Sequence, residues 1–371
     1  MGHWIPIWRQ ALSPDGFTFF KYSNKTITFT AISPISGSKI RLRLANYYGP
    51  QEYILPSVSL KADGNIICLT NGGDNLFHIG KGKIVTTDST DYKLIPGNSI
   101  EVRLYSMSGR MNENAIEPEI FWSRRGDWTQ EREVPYSLFR KRIYETGKRP
   151  FPVLESIEVY TEDHPRVIVA FGDSITQQGT WVNLLRRRLY EDYGSGAVLL
   201  NSGIGGNRLL HAGWEGQAAM YGEAAEKRFD RDVLSIPEVK AVIIALGTND
   251  IGLTHKGRTD YVTVEQMIDS YTRLVSRAKK AGLRVIGTTL LPRKGSPDYR
   301  EPYKEKMRQE INQWIRERAP YDCVIDFDKA IQDDQDPLRI RKGCSLKDKL
   351  HPNKRGGKIL ADTVELKELM I

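Results

Sequence analysis

The sequence predicts an α/β protein: a parallel sheet covered by helices on both faces, preceded by an all-β sandwich or jelly-roll. Three observations carry this. Up to about residue 160 the chain reads as short alternating segments cut by turn residues. From about Arg166 it changes to continuous apolar runs separated by long amphipathic stretches. Between the two, Arg149-Pro150, Phe151-Pro152 and His164-Pro165 interrupt the chain. With 371 residues, more than the roughly 100–200 of one domain, the division expected is an accessory β domain over 1–160 and an α/β domain over 161–371.

In the first half the strand-like segments are Ile27–Phe29, Arg41–Asn46, Val58–Ala62, Ile66–Leu69, Lys83–Val85 and Ile100–Tyr105. The breaks Ala62-Asp63-Gly64, Thr70-Asn71-Gly72-Gly73, Ile95-Pro96-Gly97 and Arg124-Arg125-Gly126 supply the residues that tight connections require. Antiparallel strands with one wet face bury the other against a second sheet, hence a sandwich or jelly-roll.

In the second half the runs Val167–Phe171, Ala197–Asn201, Val239–Leu246, Leu283–Thr289 and Cys323–Phe327 have the unbroken Val/Ile/Leu character of strands covered on both sides. Helices fall between them. Trp181, Leu184, Leu185 and Leu189 share a helical face, and Val264–Ala281, Pro302–Arg318 and Lys354–Met370 show similar spacing.

Composition excludes more than it identifies. Hydrophobic residues at 40% and charged residues at 27% are ordinary globular values. The net charge of +8 is compatible with anionic partners, but the basic runs Lys148-Arg149, Arg186–Arg188 and Arg339–Lys342 are short and lack interleaved aromatics, so no nucleic-acid partner is expected. Arg186–Arg188 reads as the solvated face of a helix. Cys68, Cys323 and Cys344 are too scattered for a disulfide framework or a cysteine-based zinc site. No stretch has the length of a membrane span, and no signal peptide is visible, so no membrane partner and a cytoplasmic location are expected, or a secreted one if a leader has been removed.

Open α/β sheets present functional groups beyond the carboxyl ends of their strands. Four places there are unusual: Gly172-Asp173-Ser174, Asn201–Asn207, Gly247-Thr248-Asn249-Asp250 and Asp348–Asn353, which contains His351. Singly, each reads as a turn or helix cap. Jointly they supply a nucleophile, a base, an acceptor that fixes the base's tautomer and donors for an oxyanion, which is what acyl transfer needs. No Gly-x-Ser-x-Gly elbow surrounds Ser174, and no His-Glu-x-x-His occurs, so neither an α/β-hydrolase nor a catalytic metal is implied, and no cofactor is expected.

These four blocks, in this order between Val167 and Gly357, resemble the SGNH (GDSL-type) hydrolases. The resemblance implies a three-layer, flavodoxin-like α/β/α catalytic domain and a serine esterase with Ser174 as nucleophile, His351 as general base and Asp348 as its partner. It also implies an oxyanion hole made by the backbone N–H groups of Ser174 and Gly206 and the side-chain amide of Asn249. A β-sandwich in front of such a domain is similar to the layout of some carbohydrate esterases, and Asn201–Leu210 with Arg228–Leu234 resembles that branch. Acetylated saccharides are therefore the first expected substrates. Lysophospholipids, thioesters and aryl esters come second, and a carbohydrate-binding protein with an inactive hydrolase half is the rival from another class. Trp181, Arg208 and Trp214 are candidate substrate contacts, with core packing the alternative for both tryptophans. The sequence leaves the oligomeric state open, a homo-oligomer included.

Overall fold

Alternation in the first half resolves into strands β1 (His3–Arg9), β2 (Lys25–Ile32), β3 (Gly37–Ala45), β4 (Tyr53–Leu55), β5 (Ser57–Ala62), β6 (Asn65–Cys68), β7 (Phe77–Ile79), β8 (Ile84–Thr86), β9 (Thr90–Leu94), β10 (Ser99–Ser106), β11 (Ile120–Arg125) and β12 (Leu154–Thr161). The computed structural model describes residues 2–14, 24–49, 51–107, 120–136, 153–213 and 221–371. The run Lys148-Arg149 and the breaks at 149–152 lie outside the described residues. Two compact units emerge, Met1–Pro165 with Gly194–Val198, and Arg166–Tyr193 with Leu199–Ile371.

The first unit holds two five-stranded antiparallel sheets, β1-β12-β3-β8 with β9 also on β3, and β11-β2-β10-β5-β6. Each buries one face. On β3 the inward Ile40, Leu42 and Leu44 are wholly buried, as are Ile100, Val102 and Leu104 on β10. The rings of Trp8 on β1 and Phe29 on β2 meet at 4.5 Å between centroids, joining the sheets as a sandwich. The connection of β5 to β6 is a two-residue hairpin in which Asp63 and Gly64 take φ of 47° and 79°, the left-handed pair that an Asp-Gly turn provides.

Strand β12, left unassigned by the sequence along with β1, β4, β7, β9 and β11, is central, paired antiparallel with β1 and β3. Its Glu155 and Glu158 are buried and answered by arginines of the neighbouring strands: Arg9 and Arg43 reach Glu155 at 2.9 and 3.0 Å, and Arg41 reaches Glu158 at 2.7 Å.

The second unit is built on β13 (Arg166–Gly172), β14 (Ala197–Gly203), β15 (Val239–Ala245), β16 (Arg284–Thr288) and β17 (Cys323–Ile325), in the order β14-β13-β15-β16-β17. The pairings β13 with β15, β15 with β16 and β16 with β17 are parallel. Strand order therefore reverses at β13, and its carboxyl end is the switch point where open sheets place ligands. Helices are α1 (Ser174–Gln177), α2 (Val182–Tyr193), α3 (Ala225–Phe229), α4 (Thr248–Gly252), α5 (Val264–Lys280), α6 (Pro302–Glu317), α7 (Phe327–Ile331), α8 (Lys354–Asp362) and α9 (Leu366–Met370). They form two groups, α2 and α7 on α8, and α3 and α6 on α5, which give the three-layer α/β/α arrangement. Among the described residues no helix is long and apolar enough to cross a membrane.

Two expectations need correction. The helical pattern over Lys354–Met370 is broken into α8 and α9, because Thr363 turns its hydroxyl back onto the carbonyl of Ile359 while Arg188 takes the carbonyls of Ala361 and Val364. Nor is Arg186–Arg188 a solvated face. Only Arg187 is exposed; Arg186 donates to the carbonyl of Leu199 at 2.7 Å.

Ile243 sits at the centre of β15, opposite Ala170 on one side and Ile286 on the other, with no exposure. Ile243→Ala is expected to lower stability by about 2–5 kcal/mol, through lost transfer energy and the void left behind. Urea unfolding that finds less than a tenth of this would contradict so tight a sheet core.

Candidate active site

The nucleophile's turn follows from a strand end and a cap. β13 stops at Gly172, and Asp173 is the N-cap of α1, its carboxylate accepting from the amide of Ile175 at 3.0 Å. The amides of Thr176 and Gln177 bond back to the carbonyl of Asp173 at 3.1 and 2.8 Å. Ser174 is thus the first residue of a single helical turn at the sheet's switch point.

His351 arrives from the loop before α8. Its Nε2 lies 2.7 Å from the Ser174 Oγ, and its Nδ1 lies 2.6 Å from Asp348 Oδ2. Asp348 stands three residues before His351 in the same loop. Asp348 Oδ1 accepts from the amides of Leu350 and His351 at 3.0 and 3.1 Å, and Lys349 between them takes the left-handed φ of 59°. Partial burial alone would push the Asp348 carboxyl up, but the hydrogen bonds from His351 and the two amides outweigh it and hold it down at about 2. The carboxylate therefore accepts a proton bond from Nδ1, leaving Nε2 as the acceptor facing the serine hydroxyl.

The loop after β14 lies against this turn. A Cβ on Gly205 would sit 3.9 Å from the Ser174 Cβ. Gly206 has φ of +72°, and a Cβ there would fall 2.0 Å from the ring of Tyr221, so glycine is required both by conformation and by space. Asn249, on α4, donates from Nδ2 to the carbonyl of Asn207, the residue after Gly206, at 3.0 Å. The next residue, Asp250, accepts from the amide of Leu209 through both oxygens, at 3.0 and 2.9 Å. Structure thus brings Ser174, His351 and Asp348 into one hydrogen-bonded chain and ties Asn249 to the loop that carries Gly206.

The candidate substrate contacts fare differently. Trp181 is wholly buried, edge-on to Phe327 at 5.5 Å, so it is a core residue and cannot meet a substrate. Arg208 is also wholly buried. Its guanidinium is spent on the carbonyl of Gly213 at 2.7 Å and on Asp260, through the side chain at 2.7 Å and the carbonyl at 2.6 Å. Both assignments are corrected for the same reason: a large side chain next to a motif loop is what packs beneath it. Trp214 lies outside the described residues.

Sequence reasoning gave no role to Asp173, Asn207, Arg228 or Asp250, all buried beside the blocks. Burial pushes the carboxyls of Asp173 and Asp250 up to about 6. For Asp173 the neighbouring Asp250 adds to this, while the Ile175 amide, His351 and Arg228 oppose it. A folded value of about 6 against an ordinary 3.8 means that the folded chain holds the proton more tightly, so this group's contribution grows as pH falls from 7 through 6 towards 4. Asp348, depressed to about 2, works oppositely and loses its contribution only below pH 3.8. Asp173→Asn, which is neutral throughout and keeps an oxygen for the Ile175 amide, should lack about 2 kcal/mol of the wild type's gain between pH 8 and pH 4.5. Urea midpoints of the two proteins that run parallel across that range would refute the burial effect.

Solved structures similar to this chain include a GDSL-like lipase from Bacteroides thetaiotaomicron, at 18% identity over 56% of this chain and 91% of that one, with a TM-score of 0.40. Another is a variant of an acetyl xylan esterase from Geobacillus stearothermophilus, at 20% identity over 55% and 94% of the two chains, TM-score 0.43. No curated protein sequence matches significantly. The GDSL-like lipase/acylhydrolase family does match, over residues 170–359, which is just over half of the chain and contains the Ser174 turn, the loop of Gly206, Asn249, Asp348 and His351. On this match, the chain belongs to the GDSL-like lipase/acylhydrolase family.

Proposed function

We propose that this member of an ester-hydrolysing family acts through Ser174, His351 and Asp348, and that it removes acetyl groups from small saccharides. The observation that carries the catalytic reading is the chain Ser174 Oγ to His351 Nε2 at 2.7 Å and His351 Nδ1 to Asp348 at 2.6 Å. His351 takes the serine proton as Oγ attacks the ester carbonyl, and Asp348 stabilises the imidazolium that forms. The tetrahedral oxyanion is met by the amides of Ser174 and Gly206 and by the second N–H of Asn249 Nδ2, whose first is held by Asn207. As the intermediate collapses, His351 returns its proton to the departing alcohol. Water, activated by the same imidazole, then releases the acyl group from Ser174.

Support for a short acyl group comes from the rim. Among the described residues of the hydrolase unit, the large apolar side chains exposed to solvent are Tyr190, Tyr193, Leu346 and Ile371, and of these only Leu346 stands in a site loop. A long acyl chain needs a broad apolar surface to lie on; one leucine does not make it. The β-sandwich ahead of the hydrolase fold supports the saccharide part of the reading by its resemblance to the layout of some carbohydrate esterases.

p-Nitrophenyl acetate should be cleaved faster than p-nitrophenyl decanoate, and acetate should be released from acetylated xylo- or cello-oligosaccharides. Preference for the decanoate would replace this reading with a lipase-like one, and activity on neither ester would point to a binding protein. Ser174→Ala should remain folded and no longer be labelled by a serine-directed organophosphate, read by mass spectrometry. Asn249→Ala should lower kcat by about 10²–10³-fold, the usual worth of one preorganised oxyanion donor; an unchanged kcat would remove Asn249 from the hole.

A further inference from the structure

Arg228 has no exposure, and its guanidinium gathers the segments that carry every proposed oxyanion donor. Nη2 donates to the carbonyl of Gly172, two residues before Ser174, at 2.9 Å. Nη1 donates to the carbonyl of Ser202 at the end of β14, at 2.9 Å, and to Asp232 at 3.0 Å. Nε donates to the side-chain oxygen of Asn207, the residue after Gly206, at 2.9 Å. The carbonyl of that same Asn207 holds the amide of Asn249. The underside of the guanidinium rests on Phe171, with Cζ 4.1 Å from the ring centroid.

Each proposed oxyanion donor is therefore within two residues, or one hydrogen bond, of a residue bonded to a single planar cation. We infer that Arg228 is a positioning residue for the oxyanion hole: it sets the separation of the Ser174, Gly206 and Asn249 donors and so acts on kcat without meeting the substrate. The chemistry of the side chain suits this. A guanidinium presents five N–H groups in a rigid plane and can fix several acceptors at once, whereas an ammonium is a point charge on a flexible stem that cannot reproduce their spacing. Preorganised donors lose most of their value when displaced by a fraction of an ångström, because their contribution depends on needing no reorganisation as charge develops. Asp232 compensates the buried charge, so the cation remains paired even though its other acceptors are neutral.

This inference rests on the proposed hydrolysis, and the test separates the two. With p-nitrophenyl acetate, at a temperature where circular dichroism shows the variant folded, Arg228→Lys should lower kcat by about 10–100-fold, in the range of a misplaced oxyanion donor. KM should stay within about threefold, since an interaction made only in the transition state is the one being lost. Introduced into Asn249→Ala, the same substitution should cost several-fold less than it does in the wild type, because residues that act through one network are not additive and one of the three donors it places is already gone. An equal loss in both backgrounds, or a kcat within about twofold of wild type, would overturn the positioning role. If Arg228→Lys does not fold, Asp232→Asn, which keeps the shape and an acceptor oxygen, takes its place. It should lower kcat by about 3–10-fold, and by less where Asn249 is absent, and an unchanged kcat would count against Arg228. Inactive wild type would instead refute the hydrolytic reading, leaving wild type and variant indistinguishable.

Discussion

The carbonyl at the end of β13 is the point on which the site's geometry depends. Buried and facing the switch in strand order, the oxygen of Gly172 must be hydrogen-bonded, and it takes two donors: the amide of Ile204 at 3.1 Å and Arg228 at 2.9 Å. The first fastens the loop of Gly206 to the root of the nucleophile's turn. The second fastens both to the π-helical turn Asp230–Leu234, through Asp232. Asp250 and Asn249 add the third strand's loop by gripping Leu209 and Asn207. The segments of three strand ends that carry the proposed donors are thus placed relative to one oxygen, by main-chain groups and buried charges, not by flexible surface contacts.

Legibility of the sequence followed the range of the interactions. Strands β13 to β17 were readable because burial on both faces leaves an apolar run no helix of that length needs, and their ends differ from the expected ones by a residue or two. The residues of the proposed site were readable only jointly: Ser174, Asn249 and His351 each read singly as a turn or cap residue, and four such blocks in order at strand ends set them apart. β1 and β12 were not. β1 contains Pro6 and a register shift between Pro6 and Trp8, and β12 carries two buried glutamates, so neither alternates cleanly. Their burial is possible only because Arg9, Arg41 and Arg43 arrive from strands distant in sequence.

The same limit explains the arginines. Arg208 and Arg228 look, in a sequence, like side chains available to solvent or ligand. What satisfies them are groups of Asp260 and Gly172, 52 and 56 positions away, and nothing in the local pattern announces such partners. Trp181 shows the apolar version: proximity to the nucleophile in the chain suggested a place in the pocket, whereas its indole is buried edge-on against Phe327. Motifs reveal which groups react; the groups that hold them apart at the correct distance are recruited from elsewhere in the fold.

The two sides of Ser174 differ in wetness, and the difference matches the chemistry proposed for them. Asn249 is 9% exposed and Arg228 not at all, whereas the side chains of His351 and Asp348 are 20% and 37% exposed. Charge that develops on the oxyanion side meets fixed dipoles in a low dielectric, where each donor is worth more than it would be in water. On the histidine side a water molecule must enter to complete the second half of the reaction, and an imidazolium formed there is stabilised by a carboxylate already held ionised by three hydrogen bonds. For the hydrolysis proposed here, a buried wall of arginine and asparagine facing a partly exposed base suits both needs: holding negative charge on one side and admitting water on the other.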